Sequence, residues 1–154
     1  MIPEILSAYT KCVKITIVSA HATSVAPPAS FFDRWADVAT WPEWDSAIKW
    51  ARLEGPFVEG ATGVIKPQKG PPTKFVIERL DPNHAFVDVS RLPGARLTFS
   101  HLITGGSDSG CAIDVAISLS GPLAPIWKQL LTKGFTTTTQ INLDRLVEAV
   151  EAVQ

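Results

Sequence analysis

The chain has 154 residues, of which 45% are hydrophobic and 19% charged, and it carries a formal net charge of −1. That length accommodates one domain with a core of its own, and the composition excludes a disordered chain. Acids and bases are interspersed, leaving no basic stripe for nucleic acid and no polybasic run beside an apolar helix for anionic lipid.

Residues 1–12, MIPEILSAYTKC, form an N-terminal extension ahead of a single domain spanning 13–154. An early acid and a short apolar stretch are the features of neither a signal peptide nor a membrane span, which needs ~18 consecutive apolar residues. Cys12 and Cys111 are far apart and have no CxxC company. Two reduced thiols in a cytoplasmic protein are expected, with a disulfide between them the open alternative.

The first strand is predicted over Val13 to Thr23, where β-branched residues alternate with small or polar ones. Ala26-Pro27-Pro28 ends it, and Phe31, Phe32, Trp35 and Val38 then recur at helical spacing, predicting a helix over Ala29 to Thr40. Trp41-Pro42-Glu43-Trp44-Asp45 reads as a second short helical knuckle, because Pro42 does not fit deep inside a helix. Turn residues then recur every eight to twelve positions, as in a β-meander. The strands are expected at Ile48 to Leu53, Thr62 to Lys66, Thr73 to Leu80, Ala85 to Leu92, Ala95 to Thr104 and Cys111 to Ser120. After Gly121-Pro122-Leu123-Ala124-Pro125, a long helix is expected from Ile126 to about Val153, with Gly134 its only glycine. Trp127, Leu130, Leu131, Phe135, Thr138 and Ile141 share one face, continued as a drifting stripe by Leu146, Val150 and Val153, and Trp127, Leu131, Phe135 and Thr138 are placed inward. The order is one strand, two short helices, six strands and a long helix, an α+β domain on an antiparallel sheet.

This order resembles the START and birch-pollen-allergen-like (SRPBCC) superfamily, and most closely its polyketide cyclase/dehydrase and lipid-transport branch. The strings that carry the likeness are Phe32-Asp33-Arg34-Trp35-Ala36-Asp37-Val38, Trp41-Pro42-Glu43-Trp44-Asp45 and the Ser120-Gly121-Pro122-Leu123 lead-in to the last helix. The resemblance implies a helix-grip fold, in which a curved antiparallel sheet of about seven strands wraps the C-terminal helix. It also implies an apolar cavity between the two. A fold of this kind does not by itself choose between binding and catalysis.

Strand parity identifies the side chains facing that cavity. Cys111, Ile113, Val115, Ile117 and Leu119 are the apolar set of the last strand, and Leu97, Phe99 and Ile103 define the same face of the preceding one, with His101 among them. If Pro93-Gly94 centres a symmetric hairpin, Phe86 opposes His101 and Asp88 opposes Phe99, making Asp88 and His101 diagonal neighbours. A symmetric loop after Asp81 would set Arg79 opposite Phe86 and complete an inward cluster of Arg79, Asp88 and His101. A change of one residue in either loop would reverse the faces.

That cluster has three readings: a structural ion pair, a polar anchor for a ligand, or an acid–base group for cyclisation or dehydration. His101, Asp88 and Arg79 are therefore the candidate catalytic residues. Candidate ligand contacts are Trp44 and Trp50 around the knuckle, Phe75, Ile77, Phe86, Leu97 and Phe99 on the strands, and Trp127, Leu131, Phe135 and Thr138 on the helix. Gly134 and Thr138 interrupt a bulky stripe and leave room for a void. The tryptophans of the knuckle serve either as a structural plug or as an aromatic wall.

The chain has no GxSxG, P-loop, GxGxxG or HExxH motif, and His21, His84 and His101 lack metal-ligand spacing. No cofactor and no metal are implied. The first functional reading is binding or transport of a small hydrophobic or amphipathic ligand, lipid- or polyketide-like. The alternatives are a cofactor-independent aromatase/cyclase or dehydratase using the same cavity, and a protein-interaction module. The expected partner is a small apolar ligand rather than nucleic acid, with no integral membrane segment, and the chain is a monomer or weak homodimer.

Overall fold

The computed structural model describes residues 14–107 and 110–154. The extension 1–12 and Val13 lie outside the described residues. Seven strands, β1 (Ile15–Ser24), β2 (Ile48–Glu54), β3 (Thr62–Pro67), β4 (Thr73–Asp81), β5 (Ala85–Leu92), β6 (Ala95–Ser107) and β7 (Gly110–Ser120), form one antiparallel sheet. Its spatial order is β1-β7-β6-β5-β4-β3-β2, so the meander runs unbroken from β2 to β7 and β1 closes on β7. Helix α1 (Pro28–Ala36) and a 3₁₀ segment (Val38–Glu43) follow β1, and α2 (Ala124–Glu151) follows β7. This is the helix-grip arrangement.

The helix expected over Ala29 to Thr40 is two pieces. Asp37 leaves the helical region at ψ 74°, and the chain restarts as the 3₁₀ segment with Pro42 inside it. Short 3₁₀ pieces tolerate the missing proline N–H better than an α-helix interior does. The Trp41 indole N–H donates to the Trp35 carbonyl at 2.9 Å and ties the two pieces together.

The β5–β6 hairpin pairs Leu92 with Ala95 around Pro93-Gly94. Gly94 sits at φ +71°, a left-handed conformation that a side chain disfavours. From that turn the register runs as the symmetric hairpin requires: Phe86 opposes His101, and Asp88 opposes Phe99.

Strand β4 departs from its expected register. A β-bulge between Ile77 and Arg79 places Arg79 opposite Val87 and Leu80 opposite Phe86. The extra residue reverses which side chains point inward beyond it. Arg79 is consequently exposed and lies in an outer-face groove with His21, Ser100 and Asp114. The three-residue cluster Arg79–Asp88–His101 does not form.

Two apolar clusters fill the space between sheet and helices. The larger holds Phe31, Trp35, Trp41, Phe75, Ile77, Phe86, Leu143, Leu146 and Val150. The smaller gathers Ile17, Leu97, Ile117 and Leu119, with Trp127, Leu131 and Phe135 of α2 packed against it. The shared apolar face expected of α2 breaks at two places, since Leu130 is 66% and Ile141 54% exposed. The helix turns its deeper face, Thr139, Asn142, Leu143, Leu146 and Val150, toward the sheet.

Helix α2 also covers the free edge of the sheet. The Gln140 amide accepts from the His21 N–H at 3.2 Å and donates to the His21 carbonyl at 2.9 Å, standing in for a neighbouring strand. The Ser24 hydroxyl donates to Glu151 Oε2 at 2.6 Å and fixes the far end of the same edge. An edge strand covered in this way is no longer a template for another chain. Among the described residues no helix is long and apolar enough to cross a membrane.

Candidate ligand cavity

Where the two clusters do not quite meet, a cavity remains under α2. Its walls come from both: Trp35, Trp41, Trp44, Leu143 and Leu146 on one side, and Phe99, Ile117 and Phe135 on the other. It measures ≈ 100 Å³ for the centre of a water-sized sphere. An apolar cavity of roughly 150 Å³ accepts benzene, so the scale here is that of a single ring.

One end of the cavity is polar. Asp88 is brought there by the inward parity of β5 and His101 by that of β6, and their side chains are 4% and 11% exposed. His101 Nδ1 lies 3.9 Å from Asp88 Oδ1, too far for a hydrogen bond, and 3.2 Å from the Phe86 carbonyl oxygen, to which it donates. That bond leaves Nε2 as the unprotonated nitrogen. The imidazole stacks on the Phe86 ring at 3.9 Å and 4°, and the Trp35 ring lies tilted beside both, 5.2 Å from the imidazole and 5.1 Å from Phe86. The stack and the bond to the Phe86 carbonyl together hold the ring.

Asp45 and Asn142 complete this end. Asp45 follows the knuckle and accepts from the Ala47 N–H and from Asn142 Nδ2, both at 3.0 Å. Asn142 Oδ1 accepts from the Ser46 N–H and hydroxyl at 3.3 Å. The amide of α2 thus clamps the segment leading into β2 and holds the Asp45 carboxyl at this end of the cavity.

Burial sets the protonation states. Desolvation pushes the Asp88 carboxyl up to about 8, assisted by the Asp45 charge and opposed by its own backbone N–H. The same desolvation pushes the His101 imidazole down to about 4, against the effect of its bond to Phe86. Burial also raises Asp45. With Arg79 on the outer face, no cation among the described residues is paired with these groups, and burial favours a carboxylic acid beside a neutral imidazole at neutral pH.

Of the candidate ligand contacts, Trp44, Phe99, Phe135 and Thr138 line the cavity together with Asp88 and His101. Phe75, Ile77 and Phe86 are buried behind it as packing, and Leu97, Trp127 and Leu131 belong to the smaller cluster. Trp50 is 36% exposed and stacks under the Arg52 guanidinium, because its position on β2 points outward. Gly134 does not make the void: it is exposed, and a Cβ built there would meet nothing within 4 Å. Trp35 and Trp41 line the cavity, as the aromatic-wall alternative required, and Asp45, Thr139 and Asn142 line it without a signal of that kind. Asp45 directly follows the Trp-Pro-Glu-Trp knuckle, and that position was the one available signal. Among the described residues no group of three or more His, Cys, Asp or Glu side chains is arranged to hold a metal ion.

The fold is the helix-grip fold, and the chain is similar in fold to several solved structures. The di-domain ARO/CYC StfQ from the steffimycin biosynthetic pathway matches at 13% identity and a TM-score of 0.71, over 95% of this chain and 53% of that one. This chain therefore spans about half of that di-domain protein. Ara h 8.0201 matches at 17% identity and a TM-score of 0.65, over 91% of this chain and 99% of that one. A START superfamily protein from Mycobacterium smegmatis matches at 13% identity and a TM-score of 0.67, over 89% and 98%. At these identities the likeness is one of fold. No family model and no curated protein matches the sequence.

Proposed function

We propose that this chain binds a small, largely apolar molecule of single-ring size in the cavity between the sheet and α2. The observation that carries the reading is an apolar void with polar groups gathered at one end, the usual form of a small-molecule site. Trp35, Trp41, Trp44 and Phe99 give flat walls for a ring, and Asp88 and His101 give it a direction. The void is well below the roughly 300 Å³ at which drug-sized pockets begin. A lipid or polyketide chain would therefore need the N-terminal half of α2 to swing outward. That half is the less buried one: from Pro125 to Thr138 no residue is fully buried.

The test is native mass spectrometry of the purified protein, with extraction of whatever small molecule travels with it. A bound mass in the wild type that is absent from a folded Thr138→Phe variant supports the reading. An identical bound mass in the variant, or failure of every one-ring compound in a screen to bind, counts against it.

A second reading, a cyclase or dehydratase in the same cavity, is favoured by one observation. Asp88 as a neutral acid and His101 as a neutral base face the same void, and separated protonation states of that kind suit proton transfer. Under this reading His101→Ala abolishes turnover of a candidate substrate while the domain stays folded. Unchanged turnover removes His101 from the chemistry.

A further inference from the structure

We infer that the cavity selects a small protonated amine, with the Asp88 carboxylate as its counter-ion; the inference rests on the ligand-cavity reading above. The hydroxyl, imidazole and carboxyl groups of the lining present mainly hydrogen-bond acceptors to the void. Thr138 and Thr139 donate their hydroxyl hydrogens to the carbonyls of Gly134 and Phe135, at 3.0 and 2.6 Å, and keep only lone pairs. His101 donates through Nδ1 to Phe86, which leaves Nε2 as an acceptor. The Trp41 indole N–H is committed to the Trp35 carbonyl, whereas those of Trp35 and Trp44 are buried and have no hydrogen-bond partner. The uncommitted donors are these two buried indoles, one hydrogen of the Asn142 amide and any proton the carboxyl groups carry.

Asp88 is the decisive group. Its side chain is 4% exposed, lines the cavity and, among the described residues, receives no hydrogen bond from another side chain or loop. A buried carboxyl whose one hydrogen-bond donor is its own backbone N–H is costly and calls for a further donor. An ammonium supplies up to three N–H donors and the missing positive charge, and the faces of Trp35, Trp41 and Trp44 offer it cation–π surface. A carboxylate ligand would meet mostly acceptors and be rejected.

The groups facing Asp88 are Asp45 from the segment before β2 and His101 from β6; α2 contributes only the uncharged Thr138, Thr139 and Asn142. Below pH 8 an incoming ammonium must displace the Asp88 proton, which leaves to solvent. His101 stays neutral through that range and does not compete.

The experiment is isothermal titration of the protein with benzylamine, benzyl alcohol and benzoate from pH 6 to 8.5. The amine is expected to bind at least about tenfold tighter than the alcohol at pH 8. Its affinity should rise about tenfold per pH unit up to pH 8 and then level, by proton linkage. At pH 7 about one proton should be released per amine bound, read from the heat in buffers of different ionisation enthalpy; this measurement needs no variant. Benzoate should not bind. Asp88→Asn should retain the alcohol and lose both the amine preference and the pH dependence. An alcohol that binds as tightly as the amine at pH 8, or an unchanged preference in Asp88→Asn, overturns the inference and leaves the cavity reading standing. Absence of binding by all three overturns the cavity reading with it.

Discussion

Asp88 and His101 sit diagonally across β5 and β6 at 3.9 Å, yet burial drives their ionisation in opposite directions, the carboxyl up to about 8 and the imidazole down to about 4. Both shifts favour the uncharged form. The pair is therefore not a salt bridge at neutral pH, and the cavity keeps an acid and a base side by side without a charge.

This has a signature in stability against pH. Asp88 holds its proton in the fold to about pH 8 but loses it near 3.8 when unfolded, so its stabilising effect is complete below 3.8 and is lost as pH rises to 8. His101 works the other way: unfolded it takes a proton near 6.5, folded only near 4, so stability falls as pH drops through that interval. The two slopes oppose each other between 4 and 6.5, and only Asp88 acts above. Urea unfolding should show a loss of about 2 kcal/mol from pH 6.5 to 8. Asp88→Asn should flatten that limb, whereas an equal loss in the variant would show that another group is responsible.

Gly134 lies in the interior of α2 with open space where a Cβ would stand. Gly134→Ala should therefore stabilise the domain by about 1 kcal/mol through helix propensity alone. The check is the urea midpoint. A destabilised variant would mean that the helix bends or closes at this residue.

The two bonds from the Gln140 amide to His21 close the sheet edge. Gln140→Ala should cost about 1 kcal/mol and speed hydrogen exchange of the His21 amide well above that of neighbours on β7. Exchange as slow as in the wild type would mean that this edge is protected by other means.

Arg79 is exposed on the outer face beyond the bulge. Arg79→Ala should change stability by less than about 0.5 kcal/mol and leave ligand binding in the cavity unaltered. A binding defect would place Arg79 in the site after all.

The contrast between Asp88 and Arg79 shows what the sequence made legible. The Pro93-Gly94 turn fixes the β5–β6 register, and with strand parity it brings Asp88 and His101 to one face. The same reasoning failed one strand away, because nothing in Thr73 to Leu80 marks a bulge, and a single extra residue turns Arg79 outward. The element order and the inward set of β7 were readable from alternation and turn residues. The Asp45–Asn142 clamp joins positions 97 apart through side chains, and no local pattern announces it. Trp50 was misplaced for the opposite reason: aromatic clustering in sequence says nothing of which side of a strand each ring takes.

The most direct test is a methyl and indole NMR titration of the labelled protein with neutral and cationic one-ring compounds. The account predicts that shifts concentrate on Trp44, Ile117, Thr138, Thr139 and Leu143 around the cavity, with Leu130 and Ile126 on the exposed side of α2 unmoved. Shifts confined to the outer groove of His21, Arg79 and Asp114, or none at all, would contradict it.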